Sequence, residues 1–242
     1  MQNSLVNLFG VSKPLIGMIH LAGESSVERI DRAQEELAIL NATGFSGAII
    51  EDYHGSPRDV YECLKASSLM KLDIVRGVNV LQDPYIGFEW ASKFGARFVQ
   101  FDSVLFNQLD VEGYRRQRQA YPEIYVFGGV RFKYKLPTGN SLDSDLEEGK
   151  ERCDAIVTTG EGTGIETPIE KLRLFKSRLG DFPLIVGAGV TAKNISDQLI
   201  IADGAIIGTN TKYEENTKSA IDPMRCISLV ELAQAIRERL TI

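Results

Sequence analysis

The stretch PLIVGAGVTAKNISDQLIIADGAIIGT, residues 183–209, decides how the rest of the chain is read. It holds two aliphatic runs, PLIV and GAII, each stopping at glycine, with room between them for one short helix. Apolar runs without polar alternation belong to parallel strands buried on both faces. Strand, crossing helix and second strand form the unit that joins parallel neighbours.

Toward the N-terminus the same unit recurs. Apolar runs at 14–20, 47–53, 74–81, 97–103, 125–134 and 155–160 precede those at 183–190 and 204–209, which makes eight strands. Helices are expected at 25–41, 57–71, 84–94, 168–179 and 223–240. Ser56-Pro57, Asp83-Pro84, Thr167-Pro168 and Asp222-Pro223 each set a capping side chain before proline, which loses no helical bond at the first position. Gly44, Gly95 and Gly180 fall where a C-terminal glycine cap belongs. The expected fold is α/β, a single parallel eight-stranded (β/α)8 TIM barrel over residues 1–242, close to the usual length of roughly 250. An open doubly wound sheet also alternates strands and helices. It would usually carry a GxGxxG turn after its first strand, where this chain reads HLAGE. The longest loops, 103–110, 136–145 and 210–222, are where a barrel concentrates function.

Composition narrows the function classes. A formal charge of -6 argues against a nucleic-acid partner, which demands a basic surface. The three cysteines, Cys63, Cys153 and Cys226, form no CxxC pair and read as reduced thiols of a cytoplasmic protein. No signal peptide is recognisable, and no apolar stretch reaches the ~20 residues of a transmembrane segment. Barrels often associate, so a homo-oligomer stays open.

In such barrels the loops after strands seven and eight frequently hold a phosphate. Glycine lets backbone N–H groups approach an anion with no Cβ in the way, and a helix N-terminus adds partial positive charge. Gly187, Gly189 and Gly208 are the expected cradle, with the Thr209 hydroxyl and the Lys212 ammonium beside it. The same glycines also serve as plain tight turns, and that reading stays open. Gly160, Gly162 and Gly164, with Thr163, follow the sixth strand and read as close ligand approach, a mobile flap or a flexible turn.

Barrel catalysts project from the C-terminal ends of strands. That rule selects His20, Glu51, Asn79, Asp102, Lys133 and Thr159. His20 is a candidate general acid or base, or a hydrogen-bonded structural residue. Glu51 and Asp52 are neighbours on one strand, so only one faces inward, and Glu51 is preferred. No cofactor is predicted; Glu51 with Asp102 could hold magnesium through oxygen ligands. Lys133 reads as charge stabiliser ahead of Schiff-base nucleophile, with a solvated basic rim as the plain alternative. Zinc spacing is absent.

These segments resemble the BtpA/SgcQ family over nearly the whole chain. The resemblance is carried by KPLIGMIHLAGE at 13–24, GAIIEDYHGSP at 47–57, RGVNVLQD at 76–83, AIVTTGEGTGIETPIEKLRLFK at 155–176, PLIVGAGVTAKNI at 183–195 and ADGAIIGTNTK at 202–212. It implies a TIM barrel from a family named for photosystem I biogenesis, with members also in organisms without photosynthesis. The family pattern falls on His20, Glu51, Asn79, Lys133, Thr159, the glycines at 160, 162, 164, 187, 189 and 208, Thr209 and Lys212. Departures lie at the expected mouth: Asp52-Tyr53-His54 after Glu51, Gln100-Phe101-Asp102, Tyr134 after Lys133, and Glu161. They imply an altered substrate or a lost activity.

Two functions follow. One is an enzyme on a small phosphorylated metabolite, of phosphosugar isomerase, aldolase or lyase type, with His20, Glu51, Asp102 and Lys133 in the chemistry. The other is a non-catalytic assembly or regulatory factor that binds a phosphorylated ligand. A nucleotide-binding enzyme ranks last, because no Walker lysine motif is present.

Overall fold

Each aliphatic run forms a strand. The computed structural model describes residues 4–241. Its strands are β1 (Leu15–Ile19), β2 (Gly47–Glu51), β3 (Val75–Asn79), β4 (Phe98–Phe101), β5 (Tyr125–Gly129), β6 (Ala155–Thr159), β7 (Leu184–Gly187) and β8 (Gly204–Ile207). They close in chain order into a TIM barrel, and β1 meets β8 in parallel through Leu15 opposite Ala205. Helix α1 (Ser4–Phe9) precedes the barrel. The outer layer is α2 (Ser26–Thr43), α3 (Pro57–Ser67), α4 (Ile86–Phe94), α5 (Val111–Ala120), α6 (Leu142–Arg152), α7 (Ile169–Leu179), α8 (Ile195–Ile201) and α9 (Pro223–Thr241).

The punctuation acts at some helix starts and not at others. Ser56 and Asp59 form a full capping box before α3, and Asp222 accepts from the Met224 amide at the start of α9. Asp83 and Thr167 differ from expectation. Helix α4 begins only at Ile86, and the Thr167 hydroxyl donates across to the Gly187 carbonyl instead of capping α7. Helices α5 and α6 carry too thin an apolar face to be expected from sequence, and α1 has only six residues; within α5 only Tyr114 is buried.

Alternation along each strand sorts side chains between two cores. Leu15, Ile19, Ala48, Ile50 and Ile156 face the helices, while Ile16, Met18, Ile49, Phe98, Phe127, Val157 and Ile206 fill the barrel. Helix α1 closes the N-terminal end of the barrel, where Leu5, Leu8 and Phe9 join the interior cluster. Phe9 lies edge-on to Phe98 at 5.8 Å, and Phe98 stacks on Phe127 at 4.4 Å. Gly77 makes room for this: a Cβ there would lie 2.2 Å from the Phe98 ring. Each such buried side chain contributes about 1.5–3 kcal/mol. Apolar residues thus fill the barrel from below, and the polar strand ends are confined to the C-terminal mouth.

The expected strand 125–134 is too long. β5 stops at Gly129, and Arg131 (φ 49°) and Tyr134 (φ 61°) are left-handed, so Lys133 sits in the following loop. The expected strand 183–190 likewise ends at Gly187, before left-handed Ala188 and Gly189.

Candidate functional site

The last inward position of each strand supplies the mouth: His20 after β1, Glu51 on β2, Asn79 on β3, Asp102 after β4 and Thr159 on β6. Together with Lys133, Thr163, Gly164, Gly187, Gly189, Gly208 and Thr209, all but Asn79 line one cavity of about 170 Å³. Its floor is apolar, made of Met18, Val157 and Ile206.

An amide network holds the carboxyl groups. The Asn79 Nδ2 donates to Glu51 Oε1 at 2.8 Å and to Asp102 Oδ1 at 3.3 Å, and Gln100 Nε2 reaches Asp102 Oδ1 at 3.2 Å. Burial, reinforced by the negative charge of Asp102, pushes the Glu51 carboxyl up to about 8, against the pull of Lys133 and the Asn79 amide. Glu51 is therefore protonated at neutral pH while its neighbour supplies negative charge, an environment that separates two carboxyl groups into acid and base. Asp52 faces away, and its Oδ1 accepts from the Leu81 amide at 2.7 Å, which fixes the loop after β3.

His20 is buried, and its Nδ1 has no hydrogen-bond partner. Burial, with Lys212, His54 and Lys133 around it, holds the imidazole well below its usual value, so it is neutral at physiological pH. Tyr53 packs against it at 5.2 Å between ring centres. On the opposite wall, Lys133 Nζ donates to Thr163 Oγ1 at 2.9 Å, and the Lys133 amide donates to Thr159 Oγ1 at 2.7 Å.

Four expected ligand-binding residues stand elsewhere. Lys212 is a correction: its ammonium is buried against Glu36, 3.0 Å from Oε1 and 3.2 Å from Oε2, where it ties the loop after β8 to α2. Desolvation makes that pairing obligatory for a fully buried lysine. Gly160 serves the loop itself, since a Cβ there would lie 2.6 Å from the Glu166 carbonyl oxygen. Gly162 packs against Ile165 and Tyr134. Asn79 works behind the carboxyl groups and lines an adjoining cavity.

The expected helix N-terminus also differs. The amides of Thr191 and Ala192, ahead of α8, are taken by Asn194 Oδ1 at 2.8 Å and Asn210 Oδ1 at 3.2 Å. The lining that remains after β7 and β8 is Gly187-Ala188-Gly189 and Gly208-Thr209, with Gly164 packed 3.7 Å from the Thr209 hydroxyl when measured from an added Cβ.

Sequence reasoning named Gln100 only as a departure from the family pattern and gave no site role to Lys135 or Lys171. Gln100 was detectable, because it lies two residues before Asp102 on the same face of β4. Lys171 Nζ donates to the Thr159 carbonyl at 2.7 Å and the Arg131 carbonyl at 2.9 Å, joining the two backbone segments that carry Thr159 and Lys133. Burial, helped by Arg131, brings this lysine down to about 8. Nothing in the local sequence marks that contact. Among the described residues no group of three or more His, Cys, Asp or Glu side chains converges on one point, so Glu51 and Asp102 lack a third such ligand for magnesium. Also among the described residues, no helix is long and apolar enough to cross a membrane, and the three cysteines are buried and free.

The sequence model of the BtpA family matches residues 11–235. The chain belongs to the BtpA family. The Photosystem I biogenesis protein BtpA of Synechocystis is 26% identical, over 97% of this chain and 93% of that protein. An uncharacterized protein of Pyrococcus horikoshii is 31% identical, over 94% of this chain and 98% of its own length. Among solved structures, thiamine phosphate pyrophosphorylase from Pyrococcus furiosus superimposes with a TM-score of 0.64 at 13% identity, over 96% of this chain and 98% of the other. That likeness establishes a shared fold. Within this BtpA-family barrel, helix α1 lies ahead of the matched residues.

Proposed function

We propose that the protein is an enzyme that acts on a small phosphorylated metabolite by proton transfer, in the manner of an isomerase, aldolase or lyase. The phosphate lies between the loops after β7 and β8, and the carbon skeleton points at Glu51, Asp102, His20 and Lys133. The observation that carries this reading is the Glu51 carboxyl, pushed up to about 8 beside a second carboxyl group in the cavity at the barrel mouth. A group kept protonated at neutral pH donates a proton to a developing oxyanion, and the charge of Asp102 suits the reverse transfer. Lys133 stabilises negative charge through its ammonium. The fold shared with thiamine phosphate pyrophosphorylase supports the phosphate by analogy alone.

A thermal-shift screen with inorganic phosphate and phosphosugars tests it, run on the natural chain and on Gly187→Asp. A Cβ at Gly187 meets Thr159 and Val157 side-chain atoms at 3.4 Å and the Thr158 carbonyl oxygen at 3.8 Å, ordinary contacts, so the variant places a negative charge at the cradle, with circular dichroism as the check on its fold. A ligand at 100 times its dissociation constant raises stability by about 2.7 kcal/mol. The expected result is a shift with one phosphosugar class that Gly187→Asp abolishes. Equal affinity in the variant removes the phosphate from this position.

A second reading, a ligand-gated assembly factor, is favoured by the rim. Phe106, Tyr134, Leu136 and Ile165 are exposed apolar residues on loops around the mouth. Absence of any phosphate-dependent shift moves the balance to it.

A further inference from the structure

We propose that the site has a second arm, which takes a negatively charged group at the far end of the phosphorylated ligand and recognises it with Lys135. This deepens the phosphate reading above and rests on it.

The cavity that holds Glu51 is one of three that share walls. Asp102 and Leu81 belong to it and to a second cavity, and Lys135 belongs to that second cavity and to a third of about 360 Å³. The three cavities therefore adjoin, with Asp102 between the first and second and Lys135 between the second and the groove beneath the loop after β5.

Backbone geometry sets the two lysines apart. In an extended chain, Lys133 and Lys135 would share a face. Left-handed Tyr134 (φ 61°) lies between them, and Lys133 lines the first cavity while Lys135 lines the other two. Lys133 is hydrogen-bonded to Thr163, whose neighbour Gly164 packs on Thr209, so it stands on the phosphate side. The Lys135 ammonium is different. It lies 3.8 Å from Asp102 Oδ2, beyond hydrogen-bond reach, and among the described residues Nζ makes no hydrogen bond. Arg131, the other cation of the groove, is committed to Asp145 at 2.9 Å and to the Asn140 carbonyl at 3.1 Å.

Charge points the same way. The Asp102 carboxyl stands between the first two cavities, with the Lys135 ammonium 3.8 Å from it and Lys133 in the lining of the first. An anion on each side of Asp102 gives each lysine a charged hydrogen-bond acceptor, and the uncharged middle of the ligand lies against Glu51 and Asp102, where proton transfer occurs.

The test compares matched monophosphates with and without a terminal carboxylate: glycerol 3-phosphate against 3-phosphoglycerate, and glucitol 6-phosphate against 6-phosphogluconate. Titration calorimetry gives the affinity ratio within each pair. The expected result is about tenfold tighter binding of the carboxylate in at least one pair, the worth of one charge-assisted hydrogen bond. Lys135→Met brings that ratio to one, and Lys135→Arg keeps it above one. The side chain is partly exposed, so both variants fold, which circular dichroism checks. Binding with no carboxylate preference in either pair, or a preference that survives Lys135→Met, overturns the second arm and leaves the phosphate reading standing. Failure of all four compounds to bind overturns both.

Discussion

Replacing Glu51 with glutamine should make the protein more stable, and by an amount that grows with pH. The carboxyl group is buried and moves from 4.5 in the unfolded chain to about 8 in the native state. Between those values the native state holds a proton that the unfolded state has released, so wild-type stability falls as pH rises. Glutamine is an isostere of the protonated acid. It keeps the Oε1 acceptor for Asn79 Nδ2 and never ionises. Below pH ~4.5 the two proteins are therefore equally stable. The variant gains about 1.4 kcal/mol per pH unit above that, roughly 3 kcal/mol at pH 7, and the gap levels off near 5 kcal/mol above pH ~8. For a chain of this size 3 kcal/mol corresponds to about 6–12 °C in Tm. Urea denaturation from pH 5 to 9 measures it, with the single tryptophan, Trp90, buried in α4, as the fluorescent reporter. A stability difference that stays constant across this range refutes the protonated Glu51, and with it the acid role assigned to that residue.

The same structure makes two other changes informative. Lys212→Met strands the buried Glu36 carboxylate with Arg32 alone and should cost about 3–5 kcal/mol in urea denaturation, most of it recovered by adding Glu36→Leu. Since the Lys212 charge also depresses His20, the same variant should move the His20 titration upward by NMR; no movement would remove Lys212 from the causes of the depression. Gly189→Ala should cost at least about 2 kcal/mol, because φ is +61° and the new Cβ would lie 2.3 Å from the Glu166 amide nitrogen. Native stability in that variant would mean that the loop after β6 does not rest on Gly189.

Much of the site was legible because a barrel strand converts order into place. Period-two alternation puts Ile49 and Glu51 inside and Ile50 and Asp52 outside, and a parallel closed sheet gathers all strand ends at one mouth. From that alone His20, Glu51, Asp102 and Thr159 come together. Lys133 also arrives in the cavity, though by a turn and not by a strand. The end of β5 was hidden because the left-handed Arg131 and Tyr134 are ordinary residues with no signal for that conformation.

The chain by itself determined the strand count, the parallel order and which strand-end residues share a face, since these follow from local periodicity and short crossovers, while the β1–β8 pairing that closes the sheet is tertiary. Only the tertiary structure decided what each polar group does. Lys212 meets Glu36 across 176 positions of sequence, Gly160 and Gly189 yield space to the 165–166 backbone, Lys171 reaches from α7 to the Thr159 carbonyl, and Lys135 takes its place from the loop after β5. Burial and the field of distant charges set protonation and pairing, and neither exists until the chain has folded.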